Sequence, residues 1–137
     1  MERSCGGIIV NGKRYLLIKY GHGHWGFVKG HVERGETAEE TFFREAEEET
    51  GLSRAHLRIS EDFREKIHYF YKREGRTVYK EVLYLLAESS TADVTLSHEH
   101  TDYRWLPYEE ALEQVTYEKD RNVLKKAHAF LKKKQKD

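Results

Sequence analysis

The sequence predicts a mixed α/β domain, and three features indicate this fold class. The dipeptide Asn11-Gly12 lies between two apolar stretches, and it favours a tight hairpin because both residues tolerate positive φ. Residues 38–50 carry apolar side chains at helical spacing. Residues 77–88 contain a run that is apolar enough for a central strand of a sheet. We therefore expect one domain, residues 1–137, built from strands and helices.

The first half of the chain is expected to form a hairpin, a loop and a helix. Residues 4–10 and 13–19 are the two strands of the hairpin. Residues 20–31 contain four glycines and three histidines without periodicity, so we predict a loop that leads into the helix. Thr37 and Glu40 form a capping-box signature, which predicts that the helix begins at residue 38.

The second half is expected to contain three further strands and two helices. In order, these are the strands 57–60, 63–72 and 77–88, with a turn at Glu74-Gly75, then a short helix opened by Pro107 and ending near Val115, and a last helix from about Lys119. Residues 94–96 begin a segment that ends in Tyr103-Arg104-Trp105-Leu106, and Glu99 is expected in a loop after a strand. The lysine-rich residues 132–137 are expected to fray.

The helix at residues 38–50 has an unusual distribution of acids near its end at Gly51. At about 100° per residue, Glu45, Glu48 and Glu49 fall within one arc of about 100°. Like charges at this spacing repel, and acids in the last turn oppose the helix dipole, at roughly 0.3–1 kcal/mol each. A divalent cation such as Mg²⁺ or Mn²⁺ would turn the repulsion into attraction. The alternative is a solvated acidic face.

Composition excludes several classes of protein. The chain has 24 Lys plus Arg and 24 Asp plus Glu, so a general affinity for nucleic acid or membranes is not indicated. The single cysteine, Cys5, excludes an internal disulfide and a cysteine-based metal site. No signal peptide or stretch of about 20 apolar residues is present, so we expect a cytoplasmic protein without a membrane segment.

The spacing of residues around the helix resembles a known family motif. The matching residues are Gly30, Glu36, Arg44-Glu45-Ala46, Glu48-Glu49 and Gly51-Leu52. This pattern is similar to the Nudix box at every defining position. The resemblance implies a Nudix fold, an α/β/α sandwich with a central mixed sheet. It also implies metal-dependent hydrolysis of a nucleoside diphosphate linked to another moiety.

The resemblance also implies roles for individual residues. The expected ligands of Mg²⁺, or alternatively Mn²⁺, are the carbonyl of Gly30 and the carboxylates of Glu45, Glu48 and Glu49. Glu99 is the candidate acid from outside the motif, and Glu45, Glu48 and Glu99 all remain candidates for the general base. Arg44 is expected to hold the acids in place, and its alternative is a surface pair with Glu40 or Glu48.

Three longer stretches narrow the resemblance to the asymmetric diadenosine tetraphosphate hydrolases. They are SCGGIIV, HWGFVKGHVERGE and LSHEHTDYRWL. Such enzymes cut the tetraphosphate into ATP and AMP by attack of water on phosphorus. The residues expected to contact phosphate are His22, Lys29, His31 and Lys80, and those expected to stack on adenine are Tyr69 and Tyr117. Stacking on an aromatic ring is worth about 1–3 kcal/mol per base. His24, in the same loop, is either a ligand or a structural residue.

Two other functions remain open from the sequence. A Nudix pyrophosphatase for another substrate would act on an RNA 5′-triphosphate end, a nucleotide sugar or a damaged nucleoside triphosphate. A non-catalytic nucleotide sensor would usually lack one of the acids of the motif, and all of them are present. In each case the expected partner is a small nucleotide rather than a nucleic acid, and the expected state is a monomer or a weak dimer.

Overall fold

The computed structural model describes residues 1–135, and a mixed sheet of eight strands forms its centre. The strands are β1 (Glu2–Asn11), β2 (Arg14–Tyr20), β3 (Trp25–Gly26), β4 (Val28–His31), β5 (Leu57–Ile59), β6 (Glu65–Arg73), β7 (Arg76–Ser89) and β8 (His100–Pro107). The helices are α1 (Ala38–Thr50), α2 (Tyr108–Gln114) and α3 (Glu118–Gln135).

The sheet is organised around β1 and β7, which pair in parallel from Glu2 beside Lys80 to Val10 beside Glu88. The main path of the sheet runs β3-β2-β1-β7-β5, and β4, β6 and β8 pair with β1, β7 and β2 respectively. All of these other pairings are antiparallel. The prediction that residues 77–88 form a central strand is therefore confirmed.

Helices cover both faces of the sheet. Successive residues of a strand point to opposite faces, so Ile8 packs in the core beneath α2 and α3 whereas Ile9 packs in the core beneath α1. Helix α1 lies very close to β1: a Cβ atom on Gly7 would lie 2.4 Å from a ring carbon of Phe42. The predicted α/β/α sandwich with a central mixed sheet is confirmed.

Local signals set both ends of α1 as predicted. The Thr37 side chain accepts a hydrogen bond from the Glu40 amide, and the Glu40 side chain accepts one from the Thr37 amide. Gly51 has the left-handed conformation, with φ of 76°, and ends the helix.

Two predictions in the first half of the chain were wrong in detail. The hairpin loop consists of Gly12 and Lys13 rather than Asn11 and Gly12, because Asn11 pairs with Arg14 and only Gly12 has a positive φ, of 62°. Residues 20–31 are not one loop, since they contain β3 and β4. These strands are two and four residues long, too short for alternation to be visible in the sequence.

One prediction in the second half also needs correction. Glu99 lies in the connection between β7 and β8, in a loop after a strand as predicted, and the segment that starts at Val94 becomes a strand at His100. The last helix does not fray at residue 132, because α3 continues to Gln135. Lys136 and Asp137, the end of the predicted frayed tail, lie outside the described residues. None of the helices described is both long and apolar enough to cross a bilayer.

Candidate active site

Two adjoining cavities lie beside β4. The first, the acidic cavity, has a volume of about 900 Å³ and is lined by residues of β1, β4, α1 and β7 and by the turn before β8. It brings together these residues that the sequence singled out: His22, Lys29, Gly30, His31, Arg44, Glu45, Glu48, Glu49, Lys80 and Glu99. Residues far apart in the sequence therefore share one cavity.

The second, the aromatic cavity, has a volume of about 640 Å³ and contains both predicted stacking residues, Tyr69 and Tyr117. Its other lining residues are Tyr20, His24, Lys29, Ile67, Lys80, Glu118, Lys119 and Asp120. The side chains of Lys29 and Lys80 line both cavities. A ligand that spans the two cavities therefore passes two lysines.

Helix α3 is attached to β6 at the edge of the aromatic cavity. The ammonium group of Lys119 donates to the backbone carbonyl of His68, and that of Lys126 lies 3.2 Å from a carboxylate oxygen of Glu65. These contacts place Tyr117, at the start of α3, on the same cavity as Tyr69 of β6.

Gly30 is required where β4 meets α1. A Cβ atom built on Gly30 would lie 2.0 Å from the carboxyl carbon of Glu45, so any larger residue would displace this carboxylate. The neighbours Lys29 and His31 point to the opposite face of β4 by strand alternation. The backbone of Gly30 therefore lies beside the acids of α1, whereas the side chains of Lys29 and His31 leave β4 on the face opposite α1.

Arg44 is the centre of an ion-pair network. Its Nε lies 2.7 Å from Glu36 Oε2, and its Nη1 lies 2.7 Å from Glu45 Oε1 and 3.4 Å from Glu48 Oε2. Its Nη2 also donates to the carbonyl of His31. The alternative pair with Glu40 is not formed among the described residues, since Glu40 is part of the helix cap. Arg44 thus fixes two of the three α1 acids relative to β4.

Glu36 depends on Arg44 electrostatically. The hydrogen bonds from the Arg44 guanidinium lower the pKa of Glu36 to about 2 from its ordinary value of 4.5, and the backbone amide of Glu33 adds to this effect. An acid with a lowered pKa stabilises the folded state above its unfolded pKa, and this contribution is lost as the pH falls through the folded pKa.

We therefore expect the stability difference between the wild type and Glu36→Gln to be constant above about pH 5 and to shrink toward zero near pH 2. Urea unfolding of the metal-free proteins at several pH values measures this difference. A Glu61→Gln variant, in an exposed turn outside the Arg44 network, is the control. A difference that does not change with pH would contradict the prediction.

Glu49 is a buried acid without a well-formed hydrogen bond. Its residue is 5% exposed, and neither carboxylate oxygen has a partner of acceptable geometry within residues 1–135. His100 Nε2, also without a hydrogen bond, lies 3.1 Å from Glu49 Oε1. Burial raises the pKa of Glu49 to about 10, and the nearby carboxyl groups of Glu45 and Glu99 add to this increase. Such a group is costly unless something positive binds it.

The arrangement of the acids fits a divalent cation that keeps several water ligands better than a cation coordinated only by protein side chains. Among residues 1–135, no three side chains of His, Cys, Asp or Glu are clustered closely enough to hold a metal ion alone. Mg²⁺ retains several waters and usually takes one or two carboxylates together with substrate phosphates. The carboxylate of Glu49, which accepts no well-formed hydrogen bond, and that of Glu45, which lies close to Gly30, offer ligands of this kind.

Sequence reasoning left several residues of these cavities without an assigned role, and they include Tyr20, His24, His100 and Asp120. His24 was left undecided; it lines both cavities, and its ring is stacked on Tyr20 with centroids 4.6 Å apart. Its other aromatic neighbour is Tyr117, at 5.0 Å. Tyr20 gave no signal, because it was the first residue of the predicted loop 20–31, and Asp120 gave none, because nothing in the sequence of the last helix marks it as buried. The burial of Asp120 becomes visible only in the packing of α3 against the sheet.

Comparisons with known proteins agree with this arrangement. The family model of the NUDIX domain matches residues 2–127, and the chain belongs to the Nudix family of hydrolases. Enzymes of this family generally use a divalent metal cation. The family predicted from the spacing of the acids is therefore confirmed.

Individual relatives are similar over most of their length. The bis(5′-nucleosyl)-tetraphosphatase [asymmetrical] of Rattus norvegicus is 39% identical over 85% of this chain and 80% of its own. The protein of the same name from Sus scrofa is 36% identical over 94% and 95%. The crystal structure of a C. elegans Ap4A hydrolase binary complex matches with a TM-score of 0.84 and 34% identity, over 96% of this chain and 98% of that one.

Proposed function

We propose that this chain hydrolyses dinucleoside polyphosphates and prefers diadenosine tetraphosphate, which it cleaves to ATP and AMP with Mg²⁺. The observation that carries this proposal is the pair of adjoining cavities, one acidic and one aromatic, which share Lys29 and Lys80. A dinucleoside polyphosphate matches this arrangement, since its base fits the aromatic cavity and its phosphates extend past the two lysines into the acidic cavity. The asymmetrical tetraphosphatases among the relatives support this choice of substrate.

The cation site would use oxygens from three parts of the chain. The candidate ligands, which would hold a hydrated cation directly or through its waters, are the carbonyl of Gly30 and the carboxylates of Glu45, Glu48, Glu49 and Glu99, all of which line the acidic cavity. With Mg²⁺, or Mn²⁺ in its place, these ligands would supply positive charge to the phosphates and would make a bound water more acidic. Arg44 keeps Glu45 and Glu48 in position through its guanidinium.

The basic residues of the acidic cavity hold the polyphosphate. Lys29 and Lys80 lie where the two cavities meet, so they contact phosphates between the base and the scissile bond. His22 and His31 line the acidic cavity and donate hydrogen bonds to phosphate oxygens further along. Positive groups fixed in place stabilise the charge that develops during cleavage.

A general base removes a proton from the attacking water. Glu45, Glu48 and Glu99 are the candidates for this role.

The adenine occupies the aromatic cavity between Tyr69 and Tyr117. Tyr69 is partly buried on β6, whereas Tyr117 is 51% exposed, which leaves ring surface free for a base. The Lys80 ammonium lies 5.8 Å from the centre of the Tyr69 ring. It is therefore close enough to the bound base to contact the phosphate attached to the same nucleoside.

A substrate panel run in ¹⁸O-labelled water tests the proposal. We expect diadenosine tetraphosphate to give ATP and AMP, with the label in AMP, because water attacks the phosphorus furthest from the adenosine that leaves as ATP. Pyrophosphate released preferentially from a nucleoside triphosphate, or preferred cleavage of a nucleotide sugar or an RNA 5′-triphosphate end, would contradict the proposal. Tight nucleotide binding without turnover of any substrate, with either Mg²⁺ or Mn²⁺, would indicate a sensor instead.

A further inference from the structure

Asp120 is a buried acid that the proposed reaction does not use. It lies in the first turn of α3, is 3% exposed, and lines the aromatic cavity. Its Oδ1 accepts a hydrogen bond of 2.8 Å from the Tyr84 hydroxyl, whose residue is fully buried. No hydrogen bond to Oδ2 is formed by any residue in the described part of the chain. Lys29, on the same cavity, is close enough for its charge to act on Asp120, but it forms no hydrogen bond with it. A buried carboxylate with one oxygen that receives no hydrogen bond costs free energy, and such costs are typical of binding sites.

The position of Asp120 indicates which part of a nucleotide it meets. The sugar of a bound nucleotide connects the base to the phosphates, so it lies near residues that line both cavities. These residues are Tyr20, His24, Lys29 and Lys80. Asp120 lines the aromatic cavity alone and is therefore on the side of the base. Tyr117 immediately precedes α3, and both Tyr117 and Asp120 line the aromatic cavity, so the carboxylate and the stacking ring share one cavity.

We propose that Asp120 accepts a hydrogen bond from the 6-amino group of adenine and so selects adenine over a base that carries a carbonyl at this position. The inference rests on the proposed function and specifies the base that the enzyme reads. Two tyrosine rings recognise any base by its face, whereas a carboxylate at the edge distinguishes a donor from an acceptor. An amino group satisfies Oδ2, but a carbonyl leaves it unpaired and repels it.

The neighbours of Asp120 make a specific variant informative. In Asp120→Asn the Tyr84 hydroxyl still donates to the remaining oxygen, which directs the new amide nitrogen to the position of Oδ2. The cavity then presents a donor where it presented an acceptor. Adenine loses its partner and hypoxanthine, which has a carbonyl at position 6, gains one. A residue that served only to bind Tyr84 would show no such exchange of preference.

The test compares kcat/KM for diadenosine and diinosine tetraphosphates with Mg²⁺. We expect the wild type to prefer the adenosine compound by about 10- to 100-fold, and Asp120→Asn to reduce this ratio to within about 3-fold by gaining activity on the inosine compound. Tyr84→Phe, which removes the hydroxyl but keeps the carboxylate, is the matched control and should retain the preference. A stability measurement by thermal unfolding accompanies each variant.

The results separate this inference from the proposed function. If the wild type cleaves both compounds equally well, Asp120 does not read the base, although the proposed reaction stands. If it cleaves neither, the proposed function itself fails. If Asp120→Asn lowers kcat/KM on both compounds equally, Asp120 has a structural role only. If that variant instead changes the preference for 2′-deoxyadenosine, the carboxylate binds the sugar and the inference is wrong.

Discussion

Replacement of Glu49 by glutamine is expected to lower kcat for diadenosine tetraphosphate by about 10³-fold or more, equivalent to about 4 kcal/mol of activation free energy. Glu49 is the buried acid of α1, with both oxygens available to a cation. Glutamine keeps the size of the side chain but removes a negative charge. The fold is expected to persist, because the glutamate makes no well-formed hydrogen bond within residues 1–135 that the amide would lose.

Steady-state kinetics with Mg²⁺ and thermal unfolding without metal measure the two effects separately. Glu47→Gln is the matched control, since Glu47 lies on the same helix but is exposed and does not line the acidic cavity. That variant should retain the activity of the wild type. Near-normal turnover by Glu49→Gln would refute the metal site.

Replacement of Arg44 by lysine is expected to lower kcat/KM by about 10- to 100-fold although the charge is kept. The guanidinium of Arg44 contacts Glu36, Glu45 and Glu48 at the same time, and it donates to the carbonyl of His31. A lysine ammonium is a single point charge and cannot reproduce this planar fork. The loss should therefore come from misplaced acids.

Binding of Mn²⁺ to the substrate-free protein, measured by electron paramagnetic resonance, should weaken in parallel with kcat/KM. Arg58→Lys is the control, since Arg58 pairs with Glu88 at 2.9 Å on the surface and neither residue lines the acidic cavity. An Arg44→Lys variant with full activity and unchanged Mn²⁺ affinity would show that Arg44 does not organise the site.

Helix α1 and β7 could be predicted from the sequence because local signals determine them. A capping box and a left-handed glycine fix the ends of α1, and an apolar run identifies the central strand. Strands β3 and β4 could not be predicted in this way. They exist because β2 and β1 supply hydrogen-bond partners, for example Cys5 opposite Gly30, and such long-range pairing leaves no pattern in two to four residues.

The residues of the candidate site also differ in whether local sequence signals or long-range packing determine their positions. The acids of α1 were predictable because their spacing on one helix is visible in the sequence. Lys80 and Tyr69 were expected only from the family resemblance, because their proximity comes from the pairing of β6 with β7, in which they are directly opposite each other. Asp120 was not predictable, because its burial depends on the contact between α3 and the buried Tyr84. Residues that tertiary packing brings to the site were therefore found through the resemblance or missed.

The attachment of α3 to β6 has a consequence for how this protein can evolve. Lys119 and Lys126 link these two elements to each other, whereas the acids and Arg44 lie on α1 beside β4. If the proposed function is correct, mutations in α3 or β6 are expected to alter the base that is accepted and to leave the acids and Arg44 in place. Proteins with this architecture could then acquire new nucleotide substrates through changes in α3 and β6, while α1 and β4 stay the same.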